Sequence, residues 1–360
     1  MEYKKITKLL MQWNKESNKR IMPWKGERDP YKVWLSEIIL QQTRVEQGWA
    51  YYEKFVKKYP TVKDLAQAKD EDIFKMWEGL GYYSRCKNLL YTARFICKEY
   101  NGIFPNDYNK IEALKGVGPY TAAAIASFCF DLPYPVIDGN VFRVLARVSG
   151  NAIPVDSAEG KTFFRQLADK LFDKKSPATY NQAIMDFGAT VCKPMLPTCS
   201  ACILNAVCMA FKKSIVNKLP VKEKILQKKQ RWFSYFVFYA NNKILVRKRT
   251  GKDIWQSLFE FYLIESIANP AWSNDTLEEI LHSQLSLRKF KIEKVVHAKT
   301  QQLTHQHIKG YFITVKLEVI PGIFKGGINE WVDAEKIGTL AFPGFINQYL
   351  KSKKEQTTLF

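Results

Sequence analysis

The sequence is short of several things, and each shortage excludes a class of protein. No run of apolar residues approaches the roughly 18 that a membrane-spanning helix requires. The first residues, MEYKKITKLL, are charged where a secretory leader has its apolar centre, so a soluble, cytoplasmic protein without a membrane partner is expected. Acids are scarce beside bases: 35 Asp and Glu against 55 Lys and Arg, a formal charge of +20. Cations in that excess gain most by displacing counterions from phosphates, which puts nucleic acid ahead of an anionic membrane surface as the partner. No internal repeat is present, and low complexity is confined to a Lys-rich tail. Cysteines number seven, and four of them crowd between Cys192 and Cys208. That suits thiolate ligation in a reducing compartment rather than a disulfide framework.

At 360 residues the chain is long enough for two domains, each with its own core. From Tyr3 to about Phe211 strand-like alternation is nearly missing; apolar residues recur at three- and four-residue steps between loops marked by Pro or Gly. The stretch from Lys212 to Arg231 is dominated by Lys and reads as an exposed linker. Beyond it the pattern changes to aromatic and β-branched residues, with Asn241 and Asn242 turning one strand into the next. DIWQSLFEFYLIES reads as another strand pair, TLEEILHSQL as a helix and GYFITVKLEVI as a further strand. The expected layout is an all-α domain over 1–215, a basic linker over 216–229, an α+β domain over 230–350 and a flexible tail over 351–360.

Three motifs carry chemistry. Cys192, Cys199, Cys202 and Cys208 fall at C-x6-C-x2-C-x5-C, a loop able to wrap one tetrahedral zinc or one iron–sulfur cluster; ligand type alone does not separate the two. Cys86, Cys97 and Cys129 lie in helical patterns and read as small core hydrophobes. In IEALKGVGPYTAAAIASF, Gly116, Val117 and Gly118 form a tight turn between two helices, with Pro119 at the first helical position. Such a turn is either a packing corner or a phosphate site in which free backbone N–H groups meet the anion. Asp138 stands before VFRVLAR as a helix N-cap, a role that leaves a second task open. Glu37, in VWLSEIILQQT, shares a helical face with Gln41 and Arg44, and periodicity alone places it on a solvated stripe.

Together the Gly-Val-Gly hairpin, Asp138 and the four-Cys loop resemble the helix-hairpin-helix, Gly/Pro-and-Asp DNA glycosylases. MPWKGERDPYKVWLSEIILQQTRVEQ and GLGYYSRCKNL look more narrowly like the MutY family of adenine glycosylases, and the likeness covers nearly the whole chain. It implies a multidomain protein. An all-α helix-hairpin-helix glycosylase domain with a 4Fe-4S cluster on the four Cys is followed by an α+β Nudix-like domain, with a DNA cleft between a six-helix barrel and the cluster-bearing lobe. It implies a monomer acting on duplex DNA that carries adenine opposite 8-oxoguanine or guanine, in base excision repair. Bifunctional members carry a Lys two residues after the second hairpin glycine; here Tyr120 stands there, and a phenol cannot form an imine, so a monofunctional glycosylase is expected over a glycosylase/lyase or a non-catalytic iron–sulfur DNA-binding protein.

By the same resemblance Glu37 is the acid that protonates adenine, which requires a raised pKa. Asp138 is the ionised stabiliser of the sugar cation, with Tyr120 beside it. Arg20, Trp24 and Gln182 are expected around the extruded base, and Gln42, Thr43, Leu80 and Tyr82 near the opposite base; without the family, Trp24 and Tyr82 could equally be core aromatics. Leu303, Thr304 and His305 stand where the family commonly has Phe-Ser-His, the loop that reads the lesion, with the hydroxyl kept on Thr304. A Nudix hydrolase needs a Glu-rich helix to hold magnesium, and only Glu278 and Glu279 fall in helical pattern, so recognition without pyrophosphate hydrolysis is expected. The last residues, Gln356 to Phe360, have the form of a sliding-clamp-binding peptide.

Overall fold

The computed structural model describes residues 2–223 and 228–355; Gln356 to Phe360 lie outside the described residues. The chain divides into two compact units. One comprises Met1–Gln67 and Lys87–Ile225, the other Ala68–Cys86 and the described residues from 228 onward.

The first unit is helical, and its elements begin and end where local chemistry says they should. Pro30–Leu40 starts with Asp29 accepting from the Tyr31 amide and with Pro at its first position. Eight of its eleven residues are buried, Glu37 among them. Periodicity had put Glu37 on a solvated stripe with Gln41 and Arg44, and the structure corrects this. The helix stops at Leu40, Gln42 takes a left-handed backbone with φ 58°, and Arg44 therefore never joins the Glu37 face. Tyr108–Glu112 and Pro119–Phe130 form the hairpin, with Gly118 as the N-cap of the second helix. Gly139–Ser149 begins at Asp138 and packs on Pro177–Thr190 and Ala158–Leu171, and Tyr3–Glu16 packs on those two helices, around a core that includes Leu145, Phe164, Tyr180 and Phe187.

Described residues of the stretch read as an exposed linker pack on the helical domain. Leu219 is buried, Ile215, Val216 and Val221 pack on the same helical core, and the Val155 amide donates to the Val221 carbonyl at 3.0 Å. Four apolar side chains among the lysines outweigh the composition of the segment.

In the second unit eight strands form one mixed sheet. Lys229–Ala240 lies at its centre, antiparallel to Lys243–Lys248 and Tyr262–Ser266 and parallel to Gln306–Leu317. Asn241 and Asn242 both have positive φ, the geometry of a two-residue hairpin turn. DIWQSLFEFYLIES does not make a strand pair. Residues 253–258 are turn and bend, and the two short strands after them, Phe259–Glu260 and Tyr262–Ser266, pair with different partners. One face of the sheet is covered by Gly344–Glu355, with Phe345 and Tyr349 packed on Phe312; the other is covered around Leu277 and Leu281 of the short Asn274–Glu279 helix and the turn of π-helix that follows it. Glu278 and Glu279 are exposed at the end of that helix. Among the described residues no helix is long and apolar enough to cross a membrane.

Candidate active site

A cleft of about 400 Å³ opens in the first unit and brings together Arg20, Trp24, Glu37, Thr43, Tyr120, Asp138 and Gln182, drawn from five separate stretches of sequence. Its floor is the Pro30–Leu40 helix. Glu37 is 6% exposed, and loss of water pushes its carboxyl up to about 7; the Tyr120 hydroxyl, donating to it, pulls the other way, and the charge of Asp138 adds to the rise. Tyr120 sits in the first turn of Pro119–Phe130, only two residues past Gly118, so one helix start serves both the hairpin and the acid. Burial and the neighbouring carboxylates hold the Tyr120 phenol well above its ordinary range, so it acts as a donor.

Asp138 caps Gly139–Ser149. Its Oδ1 accepts from the Val141 amide at 2.7 Å and its Oδ2 from Asn140 Nδ2 at 2.6 Å. Burial raises this carboxyl too, but the Val141 and Asn140 donors and the charge of Arg143 oppose the rise. The two acids are therefore differently served: Glu37 has one hydroxyl donor, whereas Asp138 has several N–H donors and a cation. Two carboxyl groups in one cleft, one held near neutrality by burial and the other supplied with N–H donors and a cation that oppose its own rise, are the equipment for cleaving a glycosidic bond.

The hairpin meets the requirements for close approach. Gly116 has φ +82°, and a Cβ there would lie 2.7 Å from Asn88 Cβ; Gly118 has open space around it. Val117 is buried and anchors the turn, its amide donating to the Leu114 carbonyl. No side chain caps the helix that follows, which leaves its first N–H groups to an anion.

The four loop cysteines, Cys192, Cys199, Cys202 and Cys208, line one separate cavity. The Leu204 amide and Arg147 Nη1 point at the sulfurs of Cys202 and Cys192, each at 3.4 Å. Burial raises the Cys202 thiol to about 11, with its cysteine neighbours adding to the rise, so four facing thiols need a cation to ionise together. Among the described residues no group of three or more ligating side chains is gathered as a preformed site for a metal ion. The donor set nevertheless fits a thiolate-ligated centre: four sulfurs around one cavity, with N–H groups aimed at two of them.

Five other expected residues sit elsewhere. Gln42 is exposed at its left-handed turn. Leu80 is buried in the second unit, where its carbonyl accepts from Arg85. Tyr82, φ 46°, is 38% exposed beneath the Arg85 guanidinium, and its hydroxyl pairs with that of Thr304. Two residues expected near the mispaired partner, 222 positions apart in sequence, thus meet within the second unit. His305 is exposed, and Leu303 packs against the sheet's core, so the aliphatic replacement has a structural use.

Sequence reasoning passed over Asn140, Arg143, Arg147 and Asp186. Arg143 donates to Asn140 Oδ1 at 2.8 Å and to the Cys192 carbonyl at 2.7 Å, which links the Asp138 cap to the cysteine loop. Arg147, 2% exposed, holds the carbonyls of Lys193, Pro194, Val216 and Leu219. The available signal was two arginines four residues apart inside an otherwise apolar helix.

Fold and cleft together define a base-excision DNA glycosylase. Residues 35–159 match the model of the HhH-GPD superfamily base excision DNA repair proteins, and residues 234–352 match the NUDIX domain. A thermostable thymine-DNA glycosylase of solved structure superposes with TM-score 0.55 at 28% identity, over 59% of this chain and 97% of its own. The adenine DNA glycosylase of Buchnera aphidicola from Schizaphis graminum is 31% identical over 361 residues, 96% of this chain and 98% of that protein; its counterpart from Acyrthosiphon pisum is 34% identical over 258 residues, 71% and 73% of the two chains. The chain belongs to the adenine DNA glycosylase family, DNA-binding hydrolases that cleave N-glycosidic bonds.

Proposed function

We propose that the protein is a monofunctional glycosylase that extrudes adenine mispaired with 8-oxoguanine or guanine from duplex DNA and excises it in the cleft around Glu37. The observation that carries this reading is the presence in one cleft of a buried Glu37, its carboxyl near 7, and an Asp138 supplied with N–H donors.

Adenine leaves deoxyribose poorly as an anion, so a proton must reach the ring as the bond breaks. Glu37 gives that proton to adenine N7. The C1′–N9 bond then cleaves with its electron pair going to the base, and the sugar becomes an oxocarbenium ion. The Asp138 carboxylate stabilises that cation, or captures it briefly at C1′. Glu37, now a carboxylate, takes a proton from the water that adds to C1′ and is restored. Tyr120 orients Glu37 throughout and, being a phenol, offers no amine for strand cleavage. Arg20, Trp24 and Gln182 surround the base. Gln42, Thr43, Leu80 and Tyr82 serve the opposite strand, with Thr304 and His305 reading the lesion.

Cys192, Cys199, Cys202 and Cys208 would hold a 4Fe-4S cluster, which when bound supplies a rigid, thiolate-ligated centre for the loop that Arg143 and Arg147 tie to the Asp138 helix. Iron and sulfide analysis of the purified protein tests this; stoichiometric zinc would contradict it. The protein is proposed to act as a monomer, with Gln356 to Phe360 as a clamp-binding peptide. Deleting Leu359 and Phe360 should abolish capture by a sliding clamp. The catalytic assignment is tested by Glu37→Gln, which should stop single-turnover adenine release while leaving duplex binding in place.

A further inference from the structure

Seven cleft-lining residues come from the segment 17–29, which contains neither helix nor strand. An irregular segment of that length is ordinarily a mobile wall, and a wall that must grip a flipped base has to be fixed. The fixing group is Asp186, on Pro177–Thr190 one helical turn beyond Gln182. Its side chain is 0% exposed and both oxygens are used: Oδ1 accepts from Arg20 Nη1 at 2.8 Å, while Oδ2 accepts from Asn18 Nδ2 at 2.8 Å and pairs with Lys25 Nζ at 3.0 Å. Lys25 Nζ also donates to the Arg20 carbonyl at 2.9 Å, and the Arg20 amide to Asn18 Oδ1 at 3.2 Å, so the three tethered residues are tied to one another.

We propose that Asp186 is the positioning residue of the base pocket: one buried carboxylate gathers Asn18, Arg20 and Lys25 and so sets the wall against which the extruded base is held. The inference rests on the reading of this cleft as a base pocket. Without the anion, two cations side by side repel each other, and each gains more from water than from the wall, because a buried ion pair that loses one member leaves the other uncompensated. Arg20 and Lys25 are 23% and 26% exposed at their side chains, so both have a path outward. Among the described residues the side-chain partners of Asp186 are Asn18, Arg20 and Lys25, with neither the hairpin nor Glu37 among them, so its loss should weaken the chemical step and spare duplex binding.

The test uses the full chain and a duplex carrying adenine opposite 8-oxoguanine, measuring the single-turnover rate at saturating enzyme and the enzyme concentration giving half that rate. For Asp186→Asn the rate should fall about tenfold or more, with the half-saturating concentration held within about twofold. Adding Arg20→Met and Lys25→Met to Asp186→Asn should cost little further, since the three act as one unit. If Asp186→Asn melts below the assay temperature, Lys25→Met and Arg20→Met alone must show the same split between rate and binding. A wild-type rate in these variants, equal losses of rate and binding, or losses that simply add would overturn the inference. A wild-type protein that releases no adenine would overturn the reading of the cleft and this inference with it.

Discussion

Glu37 is where burial becomes chemistry. A carboxyl ordinarily near 4.5 is held at about 7 because water is excluded from it, so at neutral pH roughly half of the molecules carry the proton that the proposed reaction needs. The rate should therefore fall as pH rises through about 7. Tyr120→Phe removes a hydrogen bond that favours the carboxylate, so that limb of the profile should move to higher pH; movement to lower pH would contradict the assignment. Stability follows the same proton. A folded-state value above the unfolded one makes a contribution that is full below about 4.5 and lost as pH rises through about 7, worth about 3 kcal/mol across that window. Glu37→Gln, always neutral, should melt higher than wild type at pH 8 and lose that advantage by pH 4.5, as calorimetry at the two pH values would show. Periodicity hid this residue because it counts neighbours along one helix, and the groups that bury Glu37 come from elsewhere in the chain. Asp186 was hidden for the same reason: its partners lie 161 to 168 positions away, and an acid in an apolar helix looks alike whether it is stranded or paired.

Helices and turns were legible wherever a local rule is strong. The Asp138 cap, the Pro119 helix start, the Gly-Val-Gly turn and the Asn-Asn hairpin are each written in two or three residues and stand in the structure as written. Elements decided by distant partners were not. Phe259–Glu260 and Tyr262–Ser266 exist because different strands lie beside each, and Leu219 is buried because a helical core lies beneath a lysine-rich stretch. The hairpin gives a direct contrast between its two glycines. Gly116→Ala must hold a side chain at φ +82° against Asn88, so it should lose about 1–2 kcal/mol of stability and weaken duplex binding. Gly118→Ala, at φ −101° with open space around it, should keep its melting temperature and lose only what the added methyl denies to a phosphate. Melting curves and binding isotherms for the pair check this; equal melting temperatures for both variants would contradict it.

Across the whole molecule, the +20 charge supplies sequence-independent affinity for DNA, while the proposed discrimination would rest on a few side chains. Thr304, paired with Tyr82 through their hydroxyls, is where the second unit would read the lesion. Thr304→Val should reduce the preference for 8-oxoguanine over guanine opposite adenine by about 1–2 kcal/mol, the usual worth of one hydrogen bond in recognition, with excision opposite guanine little changed. Competition between the two duplexes measures it, and an unchanged ratio would remove Thr304 from the reading loop. The central claim, that Glu37 delivers the proton for adenine release without strand cleavage, has one direct test. A duplex with adenine opposite 8-oxoguanine is incubated with excess protein, and strand breaks are scored with and without alkali, for wild type and Glu37→Gln. The account predicts breaks only after alkali for wild type and none for the variant; nicking without alkali, or release of adenine by Glu37→Gln at the wild-type rate, would contradict it.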